Sequence, residues 1–102
     1  MIHVIATVEL APGTRDKFLV EFRKIIPAVK AEAGCVEYVP SIDAETDIPS
    51  HHRLGTDRVV IVEKWETLAH LKAHAVAPHM QSYRPKVKDY VKSMELRVLS
   101  PV

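Results

Sequence analysis

The stretch from Val62 to Met80, VEKWETLAHLKAHAVAPHM, places one tryptophan, three histidines and a methionine within nineteen residues. Histidine changes protonation closest to neutral pH, so such a run raises three chemistries: a metal centre, an acid/base site, or a helix that merely carries histidines. His70 and His74 are four apart, one turn of a helix, and in principle share a metal ion. The residues between them read HLKAH, without the glutamate of the HExxH motif and without a third ligand of assured geometry nearby. No metal is therefore expected.

On a helical wheel with Leu68 as origin, Leu71 and Ala75 fall close to it and define a buried stripe. His74 then lies at the border of the stripe, and His70 lies nearly opposite and solvated. His79 opens the next helix beside Met80. Either His74 or His79 can look into the space between helices and sheet, where a packed imidazole takes a proton as a general base does. The plainer alternative is a border histidine bonded to a backbone carbonyl. Trp65, at the end of a strand, offers a flat surface to an aromatic ligand or else closes the end of the core. Met80 and Tyr83 are core residues by type. Glu63 shares a strand face with Val59, Ile61 and Trp65, so its carboxylate must be paired, protonated or wet. It is a candidate to orient a histidine or to sit in a subunit interface. Cys35 has no basic neighbour and reads as a small buried hydrophobe, and His51 and His52 read as solvated loop residues.

The elements that must position these side chains follow from periodicity. IHVIATVEL alternates as a strand does, and APGT is turn chemistry leading into a helix from Thr14 to Ala33, with Phe18, Phe22, Ile25, Ile26 and Val29 on one face. Pro27 is expected to kink that helix and Gly34 to end it. CVEYV reads as a second strand. Residues Pro40 to Asp57 show neither period and form a long loop. RVVIVEKW is a third strand, ETLAHLKAHA a short helix, Pro78 a helix start, and MELRVL a closing strand. The stripe of the last helix is expected to run through Met80, Tyr83, Val87, Tyr90 and Met94.

The order β-α-β-β-α-α-β implies an α+β ferredoxin-like split βαβ sandwich, one antiparallel sheet with its helices on one face, over a single domain spanning residues 1–102. Strands one and three carry aliphatic residues on both faces, yet one chain's helices cover only one. A symmetric partner packed sheet against sheet would cover the other, so a homodimer is expected.

With 102 residues, 47% of them apolar, 14 basic against 13 acidic, the chain is one ordinary domain without the charge footprint of a nucleic-acid or anionic-membrane binder. Its longest aliphatic run, VVIV, is far short of the roughly 20 residues that span a bilayer. The opening MIHVIATVEL carries no export signal, which points to the cytoplasm. A lone cysteine excludes an internal disulfide. The three glycines, Gly13, Gly34 and Gly55, form no phosphate-cradling loop.

Four segments together, VIATVELAPG, KIIPAVKAEAGCVEYVPSID, VVIVEKWETLAHLKAHAVAPHM and MELRVLSP, resemble the antibiotic biosynthesis monooxygenase domains, and within them the bacterial quinol monooxygenases. The resemblance covers essentially the whole chain. It implies a homodimer in which two sheets meet as a dimeric α/β barrel. It also implies reaction of an aromatic or quinol substrate with molecular oxygen, without metal, flavin or haem as cofactor. Carried over by that resemblance, His74 is the first candidate for the base and His79 the second. Trp65, Met80 and Tyr83 would line the ring site, and Thr7 and Tyr38 would offer a polar contact, depending on strand register. The asparagine of the haem-degrading relatives is absent from the first strand, where only Ala6 and Thr7 stand. Two other readings keep the fold: an isomerase of a small, often phosphorylated, metabolite, with Arg53 and Arg58 as its cations, and a non-enzymatic ligand-binding dimer.

Overall fold

In the computed structural model, which describes residues 1–102, the elements follow in the expected order. They are β1 (Ile2–Leu10), α1 (Arg15–Lys30), β2 (Cys35–Ser41), β3 (Arg58–Trp65), α2 (Leu68–Ala75), α3 (Pro78–Val87) and β4 (Val91–Leu99). The strands form one antiparallel sheet in the order β2-β3-β1-β4, the ferredoxin-like arrangement.

The period-two pattern places Val4, Ala6, Val8 and Leu10 of β1 beside Val59, Ile61, Glu63 and Trp65 of β3, and all eight are buried under the helices. Phe18, Phe22, Ile25 and Val29 of α1 and Met80, Tyr83 and Val87 of α3 close the core from above. The opposite face carries Ile5, Thr7, Val60 and Val62, which are only half-buried, and the exposed Val39. Pro40 lies within β2, an edge strand, where a missing backbone donor breaks no ladder bond.

Two helix boundaries and one buried face differ from expectation. Helix α1 runs from Arg15 to Lys30, and Pro27 stands inside its last turn with three helical residues after it. The last helix ends at Val87, so Tyr90 belongs to a turn and Met94 to β4. An i, i+3/i+4 stripe and the first alternate residues of a strand coincide over so short a run. In α2 the only buried residue is His74, while Leu68 is exposed and Leu71 half-buried, so the buried direction is rotated toward the histidine.

Gly34 ends the turn after α1 at φ +79°, and a Cβ there would press on the His70 side chain, within 2.8 Å of its Cβ. Gly34→Ala combines left-handed strain with that collision, and is expected to lower unfolding free energy in urea by roughly 1–3 kcal/mol. Adding His70→Ala should recover the part of the loss due to the collision.

Candidate active site

A cavity of about 760 Å³ lies between the sheet and the helix layer. Its walls are largely apolar: Ala6, Val8 and Ile61 of the sheet, Phe18 and Phe22 of α1, and Met80 of α3. Tyr38, Glu63, His74 and Tyr83 add polar groups, and Arg84 and Lys88 stand on the α3 side. A volume of this size holds a small multi-ring molecule.

His74 is the imidazole of this wall. It is buried, with its ring tilted 34° against Trp65 at a centroid distance of 4.8 Å and edge-on to Tyr38 at 5.4 Å. Its Nδ1 donates to Glu32 Oε2 at 2.8 Å. A carboxylate on Nδ1 selects the tautomer with the proton on that nitrogen and leaves Nε2 as an acceptor. Glu32 comes from the turn after α1, forty-two positions from His74 in sequence. The same Oε2 accepts from His79 Nε2 at 2.8 Å, so one carboxylate oxygen ties together α1, α2 and α3.

Of the expected site residues, His74, Glu63, Tyr38, Met80 and Tyr83 converge on the cavity. His79 does not line it; Pro78 starts α3 so that the His79 ring reaches Glu32 from behind His74. Trp65 does not line it either. It is fully buried behind His74, so it backs the imidazole instead of receiving a ligand. Thr7 points to the opposite face of the sheet, because Ala6 and Val8 take the inward positions of β1. There it borders a separate polar depression with Arg53, Arg58 and Arg97. His70 bonds its own helix cap, with Nδ1 2.8 Å from Thr67 Oγ1, and so cannot share a ligand with His74. Glu32 is the residue that periodicity missed. Nothing local marks it, since its role depends on which helix ends the fold brings together.

Glu63 does not orient a histidine. Trp65 Nε1 donates to its Oε1 at 2.9 Å on the cavity floor. Burial pushes the Glu63 carboxyl above its ordinary range and the nearby Glu32 adds to this, while the Trp65 hydrogen bond and His74 oppose it. Because the folded state holds this proton more tightly than the unfolded one, its stabilising contribution is complete below the ordinary glutamate range, about pH 4.3, and is lost as pH rises through the raised value. Glu63→Gln keeps an acceptor for Trp65 and removes the titration. Its melting temperature relative to the unsubstituted protein should therefore rise as pH increases from about 4 and level off once the Glu63 carboxyl has ionised. Burial likewise pushes the Tyr38 and Tyr83 phenols upward, keeping both protonated as donors.

No helix is long and apolar enough to cross a membrane. Among solved structures, the fold superimposes on a Pseudomonas aeruginosa protein with a TM-score of 0.81 at 23% identity, covering 99% of this chain and 93% of that one. It superimposes on a Mycobacterium tuberculosis protein with a TM-score of 0.79 at 24% identity, covering 99% and 94%. In sequence, the chain is 40% identical over 103 residues to the Escherichia coli K12 protein YgiN, described as a probable quinol monooxygenase, covering 99% of this chain and 98% of the relative. The Shigella flexneri protein of the same description matches with the same identity and coverage. The profile for antibiotic biosynthesis monooxygenases matches residues 1–86. With a family profile matched over most of its length and relatives 40% identical end to end, this chain belongs to the antibiotic biosynthesis monooxygenase family.

Proposed function

We propose that this protein is a cofactor-independent monooxygenase or oxidase that acts on a quinol or related flat aromatic substrate, with His74 as general base. The observation that carries the proposal is His74 itself, an imidazole in an apolar chamber with Nδ1 held by Glu32. The Escherichia coli relative's description supplies the quinol class.

Triplet oxygen reacts slowly with closed-shell molecules unless they give up single electrons, and a quinolate does so far more readily than a quinol. Transfer of a phenolic proton to His74 Nε2 would create that electron donor against largely apolar walls. The electron inventory needs no added cofactor. One quinol and one O₂ balance either to a quinone and hydrogen peroxide, or to a hydroxyquinone and water. In the second case one oxygen atom enters the ring and the substrate supplies all four electrons. The protonated Tyr38 phenol would donate to a substrate oxygen, and Phe22 and Met80 would hold the ring by its faces.

Two copies would pack by the sheet face opposite the helices, where Ile5, Val60 and Val62 are half-buried and Val39 is exposed. Sedimentation velocity should give twice the chain mass. The single chain over residues 1–102 would then be one domain per protomer. Arg53 and Arg58, the cations of the isomerase reading, border the depression on the opposite face from His74, which leaves Arg84 and Lys88 as the cations of a largely apolar cavity.

The test is oxygen consumption by chelator-treated protein given reduced naphthoquinols and anthrones, corrected for autoxidation. Saturable uptake is expected. Uptake at the autoxidation rate across the panel would overturn the proposal.

A further inference from the structure

Behind the base, three potential ligand atoms converge from three elements: Glu32 Oε2, His74 Nδ1 and His79 Nε2 all lie within 4.8 Å of one another. Both nitrogen-to-oxygen distances are 2.8 Å. The side chains are 13%, 8% and 27% exposed, so the cluster is desolvated but open on the His79 side. Two imidazoles and a carboxylate form a donor set that favours late first-row divalent ions over magnesium or calcium.

We propose that Glu32, His74 and His79 form a site for one divalent transition-metal ion of the zinc type, and that the bound ion disables His74 as a base by forcing its proton onto Nε2. Ligand atoms about 2.0–2.1 Å from a tetrahedral zinc stand roughly 3.3 Å apart, so each present hydrogen-bonded contact opens by about 0.5 Å as the ion replaces the two bridging protons. A neutral imidazole that ligates through Nδ1 carries its hydrogen on Nε2. The proton of His74 thus moves from Nδ1 to Nε2, that of His79 from Nε2 to Nδ1, and no proton is lost from the neutral rings. The nitrogen that would accept the substrate proton is then already occupied.

Location separates this ion from a catalytic one. His74 lines the cavity, whereas Glu32 and His79 do not. An ion on Nδ1 is therefore held on the Glu32 and His79 side of the imidazole, away from the ring nitrogen proposed to meet the substrate. It acts as a switch behind the base, and its effect on turnover rests on the function proposed above. Its binding does not.

The experiment is calorimetric titration of the chelator-treated full chain with Zn²⁺, with nitrogen-15 NMR of the histidine rings before and after. One ion per chain is expected, with affinity falling at least tenfold in Glu32→Gln and in His79→Ala and holding in His70→Ala. His74 Nε2 should change from an unprotonated to a protonated signal. No binding, or binding unaltered in both ligand variants, overturns the site while leaving the oxygen-uptake result untouched. A His74 Nε2 that stays unprotonated with zinc bound overturns the switch. Where oxygen uptake is measured, zinc should suppress it over the range in which the site fills, a chelator should restore it, and whatever turnover His79→Ala retains should be zinc-insensitive. Stimulation by zinc or iron(II) would overturn the inhibitory role and the metal-free base together.

Discussion

His74→Ala is expected to lower kcat for quinol-dependent oxygen uptake by roughly 100- to 10,000-fold, the range typical of losing a general base. The size follows from position. His74 is the one histidine that lines the cavity, and no other side chain there combines a free acceptor nitrogen with a carboxylate behind it. The ring is also packed against Trp65 and Tyr38, so alanine leaves a hole and costs stability. His74→Asn fills more of that space, remains neutral and lacks imidazole basicity. Both variants should lose turnover, and their circular dichroism spectra should match that of the unsubstituted protein. His70→Ala removes a histidine only four residues away that is bonded to Thr67, outside the cavity. Its kcat should stay at the unsubstituted level. Equal losses at positions 70 and 74 would overturn the assignment of the base.

The second large effect is expected at Glu32, a positioning residue that does not reach the substrate. A glutamine offers an amide N–H as well as an oxygen, and an N–H facing Nδ1 stabilises the wrong tautomer, with the proton on Nε2. Glu32→Gln should reduce kcat roughly 10- to 1,000-fold, as loss of the orienting carboxylate does in other histidine bases. KM should change little, because Glu32 lies outside the chamber walls. Glu32→Asp, which keeps the carboxylate at shorter reach, should recover part of the rate. A variant that raised KM with kcat intact would show that Glu32 shapes the chamber instead of the base.

The strands were legible because alternation in β1 and β3 is physically tied to which side of a sheet is covered. Val4, Ala6, Val8 and Leu10 face in as their period requires. The same alternation left β1 ambiguous in one respect, since Ile5 makes the second face partly apolar, and Thr7 could be assigned only once the register with Val60 was known. Helix α2 was less legible. Over eight residues its apolar positions are mostly alanine, so the wheel gives a weak direction, and packing against Trp65 and Tyr38 turned His74 inward where Leu68 had been expected. Trp65 was assigned to the correct face, but the fold buries it behind His74, one layer too deep for the ligand contact expected of it. Glu32 was invisible for a different reason. Side chains that meet through tertiary closure over forty-two positions leave no spacing to read.

The chamber and the proposed base meet at a single side chain, His74, while Glu32, which holds it, and His79, which shares that carboxylate, do not line the chamber. Substitutions at Phe18, Leu71, Met80 or Val87 can thus reshape what the chamber admits without touching the proton-transfer apparatus. If His74 is the base as proposed, such a separation lets it be inherited unchanged while the walls drift toward other ring systems.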